Sequence, residues 1–243
     1  MRILVALLLS ALVAVPAAAQ QTETLDRLLL STPDAGRARE YSTELSRVIH
    51  VAGSPRQVET ADYVLRLMRS WGLDTSRVSY KVYLPWADSA VVELAGATPT
   101  RLSLTEPPIP GDTTSYLPQY PTVHGYSGSG DVTAPLIYVN YGLPVDYTRL
   151  DSLGVSVKGK VVIARYGRSF RGIKAREAEK HGAAAILLYS DPQDDGFVPG
   201  DVYPEGPMRG PAGVQRGTVQ NGDGDPSTAG WPSTPDARRL DPS

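Results

Sequence analysis

Residues 136–190 read LIYVNYGLPVDYTRLDSLGVSVKGKVVIARYGRSFRGIKAREAEKHGAAAILLYS, and this stretch decides the fold. Leu136 to Asn140, Lys160 to Arg165 and Ala185 to Ser190 are short apolar runs rich in branched residues, the signature of strands that are covered by neighbours. Between them, Val145 to Leu153 and Ile173 to His181 mix charged and apolar residues at helical spacing. Gly182 stands where the second of these helices ends. Strand and helix alternating across short turns predict βαβ units, and so an α/β (α+β) fold with a small mixed sheet and flanking helices.

Upstream, Asp34 is placed to cap a helix over residues 34–50 that carries Tyr41, Leu45 and Val48. A second helix is better marked. Ser54 is a candidate N-cap, Pro55 occupies the first turn, and Gln57 completes a capping box. Ala61, Val64, Leu65, Met68 and Trp71 line one face of it, and Gly72 ends it. The alternation Val78-Ser79-Tyr80-Lys81-Val82-Tyr83-Leu84 predicts a strand. Shorter strands are expected at Val91 to Leu94 and Arg101 to Leu104, before a proline-rich turn at Glu106 to Gly111. Downstream, eight glycines and eight prolines stand among residues 199–243 with no periodic segment. That composition predicts either disorder or an irregular arm laid on a surface that supplies its hydrogen bonds.

Met1-Arg2, the largely apolar run from Ile3 to Val15, Pro16 and the small residues Ala17-Ala18-Ala19 have the layout of a secretory signal peptide over residues 1–19. The mature chain is then expected to be secreted or periplasmic, with no transmembrane span. The chain holds 24 Lys and Arg against 26 Asp and Glu, a net charge of −2, so it lacks the basic excess of a general nucleic-acid binder. The absence of cysteine excludes disulfides, thiolate metal sites and a cysteine nucleophile.

Gly167-Arg168-Ser169-Phe170-Arg171-Gly172 lies between a strand and a helix, where a phosphate loop would lie. The loop requires Lys directly after its second glycine, but Ile173 stands there and Lys174 comes one residue late. One residue on a helix turns a side chain by about 100°, so the pattern reads as a glycine turn. Asn221-Gly222-Asp223-Gly224-Asp225 begins like a calcium loop. Pro226 and Pro232 occupy the positions that need glycine and glutamate, so it reads as a polar turn. His50, His124 and His181 are too scattered for a metal motif, and Asp191, Asp194 and Asp195 read as loop acids. No serine sits in a G-x-S-x-G elbow, and the residues alone assign no catalytic constellation.

The runs Leu136 to Tyr141, Gly159 to Gly167, Phe170-Arg171-Gly172, Ala185 to Pro192, Gly213 to Gly217, Gly224-Asp225-Pro226 and Gly230-Trp231-Pro232 resemble the protease-associated (PA) domain of the glutamate carboxypeptidase II family of zinc metallopeptidases. His50 to Gly53, Trp71 to Asp74 and Glu106-Pro107-Pro108 match the same family in the same order. The resemblance implies residues 20–84 as the N-terminal segment of a discontinuous peptidase domain. Residues 85–243 become a PA domain incomplete at its C-terminus. It implies an exopeptidase of carboxypeptidase or dipeptidase type that acts on peptides with two zinc ions. The zinc ligands and catalytic residues are expected beyond residue 243, so this chain holds none and is expected to be inactive alone. Leu143 and Thr218 occupy family substrate-contact positions but differ from the family's arginine and asparagine, which makes a preference for C-terminal glutamate doubtful. The backbone carbonyls of Thr228 and Trp231 match family positions for a structural calcium. A homodimer is the family's usual assembly. The rival implication is a non-catalytic, receptor-like or protein-binding PA module.

Overall fold

The computed structural model describes residues 22, 24–80, 82–220, 222–228 and 230–240. The signal-peptide reading of residues 1–19 therefore lies outside the described residues, as do Lys81 and Asn221. The chain divides into two compact units, residues 1–49 and 50–243. In the first, helix α1 spans Ala35–Ser46, and Asp34 accepts a hydrogen bond from the Arg37 amide at 2.7 Å. The sequence placed that cap but ran the helix four residues too far.

The second unit opens with helix α2, Pro55–Ser70. The Ser54 hydroxyl accepts from the Gln57 amide at 3.2 Å. At the other end Gly72 takes φ +80°, its amide donates to Arg69, and the Leu73 amide donates to Met68. This pair of bonds is the Schellman closure that a left-handed glycine permits. No residue of α2 is buried, and Trp71 is 55% exposed. The predicted strand over 78–84 is corrected here: its described residues form no regular element and join no ladder. Alternation supplies two faces, yet a strand also needs a partner edge, and here the Tyr83 amide bonds to Pro226 instead. Strands β1 (Glu93–Leu94) and β2 (Thr100–Arg101) form a short antiparallel pair.

The decisive stretch forms a three-stranded parallel sheet of β3 (Leu136–Tyr138), β4 (Val161–Arg165) and β5 (Ala185–Tyr189), in that spatial order. Helices α3 (Pro144–Ser152) and α4 (Arg171–Lys180) are the two crossovers. When neighbouring parallel strands follow chain order, right-handed crossovers put both helices on one face. The Tyr147 ring of α3 stacks on His181 at the end of α4, with centroids 4.3 Å apart, as that arrangement requires. Val139, Val162 and Ala164 on the sheet meet Tyr147, Val157 and Ala178 to form the core, flanked by Ile137, Ile186 and Leu188. Leu136 and Tyr138, on the opposite face, stay about half exposed at 49% and 52%. The architecture is α/β.

Beyond β5, α5 spans Pro192–Asp195 and is capped by Asp191, which accepts from the Gln193 amide. The remaining arm is irregular, and the rest of the unit supplies its hydrogen bonds. Glu106 takes the Val214 amide and pairs with Arg216, both at 2.7 Å, while the Gly125 amide donates to Gly217. No helix among the described residues is long and apolar enough to cross a membrane.

Candidate functional site

The carboxyl ends of parallel strands carry the loops in which open α/β sheets usually place their ligands. Here those ends are crowded with charge. Asn140, Gly142, Gly167 and Arg168 all take positive φ, at +50°, +65°, +102° and +62°. The chain therefore turns sharply as it leaves β3 and β4. Tyr141 is buried between the two turns and its hydroxyl donates to Asp194. Arg165 lies 4.0 Å above the Tyr141 ring and donates to the Asn140 side-chain oxygen from two nitrogens, at 3.1 and 2.9 Å. It also pairs with Asp191 at 3.4 Å and Asp194 at 3.7 Å. Arg168 stands over the same ring at 5.2 Å.

Under this edge, Lys174 is fully buried and its ammonium donates to the carbonyls of Tyr141 (2.6 Å) and Gly167 (2.8 Å). Burial pushes its pKa down, while the Asp146 charge pulls it up. The lysine that comes one residue late for a phosphate loop is thus turned into the fold, where it ties the two strand ends together.

A second cluster lies around Tyr166. Its hydroxyl bonds to the Gln215 carbonyl at 3.1 Å and meets His124 Nε2 at 2.8 Å. The Gln215 side chain bridges Arg171 and Asp195, at 3.0 and 2.9 Å, and Ser190 also donates to Asp195. Burial, followed by the Arg171 charge, holds the His124 pKa below its usual value, so the ring favours the neutral form.

Leu143 is half-buried at the start of α3, where its amide donates to Asp146 at 3.0 Å. It offers an apolar side chain and no charge. Thr218 is exposed on the arm, bridged to Gly125. Leu143 follows the Tyr141 turn while Thr218 sits beside the Tyr166 cluster, and the structure joins them through no direct hydrogen bond. Thr228 and Trp231 are brought together: both carbonyl oxygens stand where a Cβ on Gly224 would go, well inside contact distance. Asp225 organises that turn by accepting from Ser227, Ser233 and Arg239, which holds its carboxyl far below the usual range. No group of three His, Cys, Asp or Glu side chains able to hold a metal occurs among the described residues.

Sequence reading missed the roles of Tyr141, Arg165, Lys174 and Gln215. The reading of Asp191, Asp194 and Asp195 as loop acids is corrected: Asp191 caps α5 and the other two lie within it, and each is engaged by a partner from another segment. The edge can hold and orient a polar or charged group; it presents no activated nucleophile or general base.

Residues 132–226 match the PA domain family. The chain is 40% identical over 202 residues to a probable glutamate carboxypeptidase of Arthroderma benhamiae, covering 80% of this chain and 28% of that protein. It is 34% identical over 217 residues to the probable glutamate carboxypeptidase AMP1 of Arabidopsis thaliana, covering 89% of this chain and 28% of the relative. The mouse aminopeptidase NAALADL1 is 33% identical over 221 residues, covering 86% of this chain and 30% of the relative. Among solved structures, the aminopeptidase from Aneurinibacillus sp. strain AM-1 aligns at 21% identity with a TM-score of 0.40, over 76% of this chain and 35% of that one. The chain thus spans under a third of the length of the curated relatives it matches. The parallel sheet and its crossovers lie inside the residues that match the PA domain, and over most of its length the chain is similar to proteins named as probable glutamate carboxypeptidases.

Proposed function

We propose that this chain is the PA-domain-bearing portion of an exported, zinc-dependent exopeptidase. The observation that carries the reading is the 40% identity to a probable glutamate carboxypeptidase across 80% of the chain. Within such an enzyme the chain's task is substrate placement. The turn after β3 holds Leu143 through Asp146, the buried Lys174 fixes that turn, and the Tyr166 cluster holds the arm that carries Thr218. Catalytic residues and zinc ligands are assigned to no residue of this chain; zinc, when bound elsewhere in the protein, supplies a Lewis acid and an activated water. With leucine at 143 there is no charge-assisted contact there for an acidic side chain, which favours peptides with neutral C-terminal residues. The converging Thr228 and Trp231 carbonyls offer two hard oxygen donors of the type calcium takes, and the Asp225 turn fixes them.

The reading is tested by recovering the gene product from the exported fraction and assaying N-acetylated dipeptides with and without a zinc chelator. Chelator-sensitive release of the C-terminal residue, with neutral residues preferred over glutamate, is the expected result. A zinc-loaded product that cleaves no peptide overturns it.

A further inference from the structure

Residues 213–219 of the arm are tied to the rest of the unit around one histidine. Gly125, next to His124, pairs with Thr218: its amide donates to the Gly217 carbonyl at 2.8 Å, and the Val219 amide donates back to the Gly125 carbonyl at 3.0 Å. The Tyr166 hydroxyl reaches the Gln215 carbonyl at 3.1 Å and His124 Nε2 at 2.8 Å. A phenol has a single proton to give, and a carbonyl can only accept. The hydroxyl proton therefore goes to Gln215, and Nε2 carries the imidazole hydrogen and donates it to the Tyr166 oxygen. That assignment leaves Nδ1 as the bare nitrogen, buried and without a hydrogen-bond partner among the described residues. A further proton can enter the ring only at Nδ1, where the surrounding groups oppose it or are already engaged. Arg171, at the start of α4, brings a positive charge. The nearby Gly217 carbonyl would favour the charged ring, but it already accepts from Gly125. Around Tyr166, at the end of β4, stand the cation Arg209 and the Asp195 carboxylate of α5, which is held by Ser190 and the Gln215 side chain and lies 3.6 Å from Arg209.

We propose that His124 is a proton-sensitive latch: protonation of its ring releases residues 213–219 from Gly125 and Tyr166, and frees Thr218 with them. Neutral, the ring donates to Tyr166 from behind the arm. Charged, it must reach water, and the adjacent Gly125 leaves its pairing as the ring moves. Glu106, which grips the arm through the Val214 amide and Arg216, keeps the released segment tethered. With the arm open, the ring titrates near its ordinary value of about 6.5; with the arm closed, burial and then Arg171 hold it lower. The open form thus binds more protons, so the closed form is favoured above about pH 6.5 and loses ground as pH falls. At pH 5.5, one unit below the open-state value, opening rises by up to about tenfold over pH 7.5.

The test is amide hydrogen exchange of the full chain, followed by NMR and expressed as protection against the intrinsic rate at each pH. Protection at Gly125 and Val219 should lie well below that of Val139, whose amide donates to Ile163 in the sheet at 3.0 Å, at both pH values. It should fall about three- to tenfold from pH 7.5 to pH 5.5. In His124→Gln that fall should vanish. In Arg171→Gln the ring, read by its Cε1 proton, should titrate at higher pH, and the fall should shrink because the closed form then tolerates the proton. The same variant decides the matter if His124→Gln leaves the arm open at every pH. A wild-type fall smaller than about threefold, a fall that persists in His124→Gln, protection at Gly125 equal to that at Val139, or an unmoved ring in Arg171→Gln refutes the proposal. The readout is opening of the arm and not catalysis, so a protein without peptidase activity would remove the enzyme reading and leave this result standing.

Discussion

Replacing Lys174 with methionine keeps most of the side-chain volume and removes the ammonium. In the wild type that ammonium is fully buried and makes two short bonds, 2.6 Å to the Tyr141 carbonyl and 2.8 Å to the Gly167 carbonyl. A hydrogen bond to a charged group contributes about 1.5–3 kcal/mol, so the two together are worth about 3–6 kcal/mol gross. Against this stands the cost of keeping an ammonium out of water, several kcal/mol in principle, which the substitution relieves. The carbonyls decide the sign, because methionine leaves both without their donor in the interior. The net loss expected for Lys174→Met is about 2–4 kcal/mol, a large part of a domain's stability. Urea unfolding followed by circular dichroism measures it as a lower midpoint with an unchanged slope. Amide exchange should also quicken at Gly142, whose N–H donates to Val139 at 2.7 Å, since the turn loses its tie. A variant within 0.5 kcal/mol of wild type, or more stable than it, would refute the reasoning and make the buried charge a net burden.

Gly224→Ala should disrupt the arm: φ is +93° and the new Cβ would meet both the Thr228 and Trp231 carbonyls, so a loss of about 1–3 kcal/mol is expected by thermal melting, with faster proteolysis of residues 220–240. Val162→Ala, at a fully buried core position on the central strand, should cost about 1–3 kcal/mol in urea unfolding. His124 has a folded pKa below its unfolded value of about 6.5; the unfolded chain then binds more protons in that window, so the stability it contributes is present above about pH 6.5 and is lost as pH falls through the folded value. His124→Gln should flatten the difference in urea midpoint between pH 7.5 and pH 5.5. Asp225, whose carboxyl is depressed first by Ser227 and then by Ser233, contributes stability above its unfolded value near pH 4 and loses it as pH falls further. Asp225→Asn should remove that part of the acid dependence, read by fluorescence of Trp231.

The strands and crossovers of residues 136–190 were legible because apolar runs, helical spacing and the stop at Gly182 agreed. Each predicted strand end fell within two residues of the observed one. The Asp34 and Ser54 caps were legible for the same local reason. The strand expected over 78–84 failed because alternation describes one chain, whereas a ladder needs two. The site was far less legible. Tyr141 and Asp194 are 53 residues apart, and Arg165 and Asn140 are 25 apart, so only the parallel topology brings them together. Lys174 was visible only as a failed phosphate-loop lysine. The rotation that disqualifies it from that role is the one that turns it beneath Tyr141.

The carboxyl edge works as one device in which opposing local preferences are balanced. Two sharp turns, at Asn140 to Gly142 and at Gly167 to Arg168, bring the carbonyls of Tyr141 and Gly167 within reach of one ammonium. Glycine and asparagine make three of the four left-handed positions inexpensive, while Arg168 costs about 1–2 kcal/mol on steric grounds. The two Lys174 bonds are large enough to hold that strain. A sequence under selection for stability alone would place glycine or asparagine at 168, as it does at 142, 167 and 140. Arginine at 168 instead stacks at 5.2 Å on a ring that also carries Arg165 and Lys174, and that contact works against the strain. Strain at Arg168 and burial at Lys174 are therefore two halves of one arrangement, and loss of the lysine should loosen the arginine's stacking before it unfolds the sheet.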